Sequence, residues 1–396
     1  MRTVRNRPAA GFSLVELMVS IVIGLLAVLF ATRIMTDGET SKRGALGGSD
    51  SMQNGMMAMF SISGDAEQAG YGLNDPILNG CDTIFKDSKG ANGNGYALAT
   101  AQRDGVDVTP LAPALIEPGV DGKPDRLTVY AGSAAGGTGT LRLQGNYIGG
   151  SQLAVDREPY GFAVGDVIMV APENGDGKCA LAQVSGLSAP GAASKTVAIG
   201  GTGYRFNTGA LGRNFEGSAT RVFNLGREAS LSFHTWLVDG GVLRLRATNL
   251  GADGSAAHAV ADNIVSLKAQ YGFDKRGVAD FDPEQGMQVG EWSSGMIDAD
   301  GDGVSGGPGD YQRIAALRIA VVARAKTPER PGADGVCTAQ PAAMKVFGSA
   351  QPHGVEPVEV ELDLSVTGDA VDWRCYRYRA FETIVPLRNT GWRPTA

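Results

Sequence analysis

The chain has 396 residues, a formal net charge of −7 and only 19% charged residues. An acidic, sparsely charged chain argues weakly against a nucleic-acid-binding surface. Three histidines, and four cysteines without a Cys-x-x-Cys pair, argue against a zinc site.

Residues 1–10 form a basic leader with Arg2, Arg5 and Arg7. Gly11-Phe12-Ser13-Leu14-Val15-Glu16 follows, and residues 17–32 carry no charge. Residues 12–35 make about 36 Å of helix at roughly 1.5 Å per residue, enough to cross a bilayer core of about 30 Å. The leader arginines should stay cytoplasmic and send the rest of the chain outward. A secretory signal needs an uninterrupted apolar core followed by a small-residue cleavage site. Here the small residue, Gly11, precedes the run, and Glu16 interrupts it. An acid at this depth costs on the order of 3 kcal/mol unless paired, so Glu16 reads as functional.

Residues 36–55 contain Gly38, Gly44, Gly47, Gly48 and Gly55. Each weakens a helix by about 1 kcal/mol relative to alanine, so the helix is expected to loosen here. Met52, Met56, Met59, Phe60 and Ile62 recur at three- and four-residue steps, which predicts an apolar face packed on a sheet with methionine as core filler. Ala69-Gly70-Tyr71-Gly72 should end the helix. Residues 74–120, rich in Gly, Asp, Asn and Pro, read as a long loop region pinned by Cys81.

Beyond residue 125, short apolar or alternating runs predict strands at 126–130, 165–170, 179–184 and 195–199. Residues 229–238 and 242–247 flank Asp239-Gly240-Gly241, a hairpin signal. Residues 261–271 read as a short amphipathic element and 313–325 as a central strand. Residues 358–366 and 372–385 alternate and could close a sheet, with Trp373, Tyr376, Tyr378 and Phe381 facing the first helix. Cys81, Cys179, Cys337 and Cys375 predict two disulfides in an exported chain. Pairing 81 with 179 and 337 with 375 closes each loop within one part of the chain.

Asp298, Asp300 and Asp302 alternate before Gly303, and Asp310 follows. This spacing suits a calcium loop with Asp310 in place of the usual glutamate, or a solvated acidic turn. His234, His258 and His353 have no local partners and read as structural or surface residues. Arg374, Arg377 and Arg379 read as salt-bridge partners. No nucleophile–base pair marks an enzyme.

The Gly11–Glu16 block, with its basic leader and apolar helix, resembles the class III signal of type IV prepilins. Ala69-Gly70-Tyr71-Gly72, Gln270-Tyr271-Gly272-Phe273-Asp274, Tyr376-Arg377-Tyr378-Arg379 and Pro386-Leu387-Arg388-Asn389 extend the resemblance to the PilW family of minor pilins. It implies cleavage by a prepilin peptidase between Gly11 and Phe12, methylation of Phe12, and pairing of Glu16 with a neighbouring subunit's amino terminus. The fold it implies is α+β. A leader (1–11), a transmembrane helix (12–35) and its periplasmic continuation (36–72) precede a β-rich periplasmic head (73–396) with a loop-rich insert (73–120). The expected partners are other minor pilins, the major pilin, a large tip adhesin and the inner membrane. The expected role is to prime and cap a pilus that supports twitching motility and adhesion. A minor pseudopilin of type II secretion, or an adhesive or DNA-uptake module, are the rival readings.

Overall fold

The computed structural model describes residues 13–389 except 74, 90–94, 134–138, 174–177, 202, 251–255, 333 and 341, with backbone alone at 36–37, 39–47 and 278. The leader, Gly11 and Phe12 lie outside the described residues. Two compact units result, Met1–Asp50 and Ser51–Ala396.

The first unit holds an apolar helix segment, Leu14–Met35, of mean hydropathy 2.7, with every side chain exposed. Its few polar side chains bond the helix's own backbone. Ser20 Oγ donates to Leu17 O, and Thr32 Oγ1 to Val28 O and Leu29 O. Polar groups satisfied in this way are tolerated in lipid. The helix does not loosen at the glycines but is assigned unbroken over Leu14–Gln68. Continuous helix across residues 36–55 outweighs a penalty of about 1 kcal/mol per glycine.

In the second unit the helix buries Ser51, Gly55, Ala58, Ile62 and Ala66. This replaces the expected methionine face. Of the predicted set only Ile62 is fully buried and Met59 partly so, whereas Met52, Met56 and Phe60 are exposed. Small residues win because the sheet approaches closely. A Cβ at Gly55 would overlap the Phe381 ring of the last strand. Gly70 and Gly72, at φ +77° and +73°, turn the chain after Gln68 as expected.

The helix packs over a four-stranded sheet ordered Glu291–Ser293, Ile264–Phe273, Ile314–Arg324, Tyr378–Pro386. Residues 264–273 are buried throughout, so the predicted short amphipathic element is a central strand. Both faces are covered, which removes the alternation that marks a half-exposed strand. Leu267, Ala269, Leu317, Ile319 and Val321 join the cluster that includes helix residues Ala58 and Ile62. Val265, Ala320 and Val322 face Val346, Phe347, Leu362 and Leu364. The predicted strand at 358–366 shrinks to Val360–Glu361, paired with Lys345–Val346. Of the last strand's aromatics only Phe381 meets the helix. Trp373 and Tyr378 pack in the opposite cluster, and Tyr376 lies under Arg324.

A five-stranded sheet (His258–Asp262, Val242–Ala247, Ser232–Asp239, Arg126–Ala131, Ala114–Glu117) contains the predicted hairpin, turned by Gly240 and Gly241 at positive φ. A six-stranded sheet runs Pro110–Leu111, Cys81–Ile84, Lys178–Gln183, Asp166–Pro172, Thr220–Arg227, Thr140–Arg142. Along Asp166–Pro172, Val167, Met169 and Ala171 face the main core. Ile168 and Val170 face a second core with Leu141, Leu153, Phe162, Val197 and Phe215. Period-two alternation thus serves two cores from one strand.

Residues 74–120 are not a plain loop. Among the described residues they hold five strands, Cys81–Ile84, Ala101–Arg103, Val106–Val108, Pro110–Leu111 and Ala114–Glu117. Each has two to four residues, too few to show a period in sequence. The disulfides join Cys81 to Cys179 and Cys337 to Cys375.

Candidate functional site

Ser13-Leu14-Val15-Glu16 opens the helix. Ser13 N–H donates to Glu16 Oε2 at 3.4 Å, the reach-back half of a capping box. Glu16 therefore has a local task that its depth in the apolar run did not reveal. A first-turn carboxylate also meets the positive end of the helix dipole. The exposed Leu14, Val15, Leu17 and Met18 surround it with apolar surface.

Asp298, Asp300 and Asp302 bring carboxylate oxygens within 4.8 Å of one another. Asp298 accepts the Gly301 and Gly303 amides, Asp300 the Asp302 amide, and Asp302 the Val304 amide. Burial, then the neighbouring Asp302 and Asp298 charges, hold the Asp300 carboxyl above its ordinary range. Asp310 is not part of the group. It is fully buried and accepts the Ala299, Asp300 and Gly307 amides, anchoring the two ends of the loop. Burial pushes its pKa up to about 6.

His234 is structural, and its partner is distant in sequence. Its Nδ1 lies 2.8 Å from Asp65 Oδ2 on the helix, and Trp236 Nε1 donates to the same oxygen at 2.8 Å. One carboxylate thus ties the helix to the Ser232–Asp239 strand. Burial pulls the His234 pKa down, but the Asp65 hydrogen bond and charge, with Asn249, outweigh it and leave the pKa raised. A raised histidine stabilises fully below its unfolded pKa of about 6.5 and loses that contribution as pH climbs through the folded value. The thermal midpoint of the protein is therefore expected to fall from pH 6 to pH 8, and Asp65→Asn to flatten that slope. Parallel pH profiles for both proteins would contradict the tie.

His258 and His353 are exposed. Arg374 pairs with Asp372 and Arg377 with Glu329. Arg379 departs from expectation, since its guanidinium meets Met52 Sδ instead of a carboxylate. The sequence also hid Asp87 and Arg205, a buried ion pair whose partners are 118 residues apart.

Two comparisons bear on this arrangement. Residues 238–389 match the family model described as type IV pilus-assembly protein W, PilW. Residues 6–32 match the prokaryotic N-terminal methylation motif. The first match contains the four-stranded sheet and the acidic loop; the second contains Gly11, Phe12 and Glu16. Neither covers residues 33–237. Searches of curated proteins and of solved structures found no match. With a prepilin-type signal on an exposed apolar helix, and the PilW match over the sheet that the helix packs on, this chain is similar to the PilW family of type IV minor pilins over residues 238–389.

Proposed function

We propose that this chain is a minor pilin that primes pilus assembly and caps the fibre tip, supporting twitching motility and adhesion. The observation that carries the reading is an unburied apolar helix segment with one carboxylate in its first turn, on a chain whose other unit is as large as Ser51–Ala396. A body of this bulk suits an end position better than a repeating shaft. Before assembly the precursor sits in the inner membrane until cleavage between Gly11 and Phe12. Methylated Phe12 and Glu16 then meet neighbouring pilins, where opposite charges relieve each other's burial in lipid.

Because Glu16 also caps its helix, the decisive substitution is Glu16→Gln, which keeps an acceptor for Ser13 N–H and removes the charge. Membrane insertion is expected to persist, with co-purification of partner pilins reduced at least tenfold. Full recovery of partners would sink the charge-pairing step and leave Glu16 as a cap.

The acidic turn enters this reading as a structural calcium position formed by Asp298, Asp300 and Asp302, where a cation would relieve the crowding that raises Asp300. Millimolar calcium is expected to raise the thermal midpoint relative to chelator, and Asp300→Asn to abolish the rise. Equal midpoints in calcium and chelator would leave the turn simply solvated.

A further inference from the structure

Tyr378–Pro386 is an edge strand of nine residues. The other edges of the three largest sheets run only two to five residues. Native proteins blunt long edges with bulges, prolines, inward-pointing charges or a covering element. Here the register against Ile314–Arg324 is unbroken and proline comes only at the last position.

The outward backbone groups can be assigned. Leu387 N–H donates to Ala315 O, and Ala325 N–H donates to Arg377 O. Both bonds fit the register that sets Ala316 opposite Pro386. In an antiparallel ladder such pairs alternate, so the odd-numbered residues between 377 and 387 point their N–H and C=O inward. Tyr378, Ala380, Glu382 and Ile384 point theirs away from the sheet. Among the described residues no strand pairs with that side.

One charged side chain on this edge lacks an answering charge. Arg379 is exposed, and among the described residues its guanidinium has no carboxylate partner, unlike Arg374, Arg377 and Arg318. Met52, which it touches, is 44% exposed and adds apolar surface beside the strand. A second copy of the strand would not complete this edge. Residues that share the Arg379 face are Phe381, Thr383 and Val385, none of them acidic, while Glu382 lies on the opposite face.

We propose that this edge docks one extended strand of a different protein, with apolar residues alternating along it and an acidic residue beside Arg379. Backbone pairing supplies the attachment, and the acid sets the register.

The test uses the full chain in detergent micelles and two nine-residue synthetic peptides of alternating valine and threonine, one with a central glutamate, the other with lysine there. The glutamate peptide is expected to slow hydrogen exchange at Ala380 and Glu382 at least tenfold, and to bind at least tenfold more tightly than the lysine peptide. Ala380→Pro removes an outward N–H without touching the inward ladder, so it should abolish binding at an unchanged thermal midpoint. Arg379→Glu should reverse the peptide preference, which keeps the test sharp should the proline variant misfold. Amides already protected in the dilute free chain, or unmoved by either peptide, would overturn the proposal. Protection that grows with chain concentration alone would assign the edge to a second copy, and overturn it too. Neither peptide requires a pilus, so failure here leaves the assembly role standing.

Discussion

Replacing Asp87 with alanine is expected to lower the unfolding free energy by about 3–5 kcal/mol, the range for removing one partner of a buried ion pair. Side-chain exposures are 3% for Arg205 and 0% for Asp87. The pair is bidentate: Arg205 Nε donates to Oδ1 at 2.8 Å and Nη2 to Oδ2 at 2.6 Å. The same two oxygens accept the Lys89 and Tyr96 amides. Arg205 Nη1 donates to Thr248 O, so three distant segments meet at one ion pair. Alanine at 87 would leave Arg205 Nε and Nη2 and two amides without their acceptor in the interior, where stranded donors are expensive, with Glu228 at 3.6 Å from Nη1 as the remaining countercharge. Urea unfolding should show a lower midpoint with an unchanged slope. The double substitution Asp87→Ala, Arg205→Met should be less destabilised than the sum of its parts, because it strands no charge. Additive effects would show that the pair is not coupled.

Loss of the Cys81–Cys179 disulfide is the second large effect, expected at about 2–5 kcal/mol. It closes a separation of 98 residues and sits beside the parallel pairing of Cys81–Ile84 with Lys178–Gln183. Parallel strands so far apart in the chain carry a high closure entropy when unfolded, and the crosslink removes much of it. The Cys337–Cys375 bridge, with a separation of 38, should contribute roughly 1 kcal/mol less on loop length alone. Comparing the Cys81→Ala, Cys179→Ala protein with the Cys337→Ala, Cys375→Ala protein in urea measures that order. A larger loss from the shorter loop would refute it, and would point to native-state contacts as the main term.

Much of the architecture was legible in the sequence where a local signal existed. The apolar run, the helix stop at Gly70, the Gly240-Gly241 hairpin and the strand within 313–325 each rest on composition or period over neighbouring residues. Errors arose where burial was two-sided or where packing chose the face. Ile264–Phe273 lost its alternation because it is covered on both faces. The helix turned its small residues inward because Phe381 demanded room at Gly55. The short strands within residues 74–120 left no readable pattern at all.

The candidate site divides in the same way. By itself the sequence determined the processing signal, the lipid-length helix, the lone acid at its head and the four cysteines. These are properties of contiguous residues or of residue type, and they need no knowledge of what lies nearby in space. Only tertiary structure decided that Asp310 braces the acidic loop from outside the cluster, that Asp65 holds His234 and Trp236, that Asp87 meets Arg205, and that Tyr378–Pro386 ends its sheet uncovered. Each of these depends on which residues become neighbours in space, from 11 positions apart for Asp310 and Ala299 to 171 for Asp65 and Trp236. Pairing across a hundred or more residues is set by the summed fit of whole sheets and cores, a quantity that no local window of sequence contains.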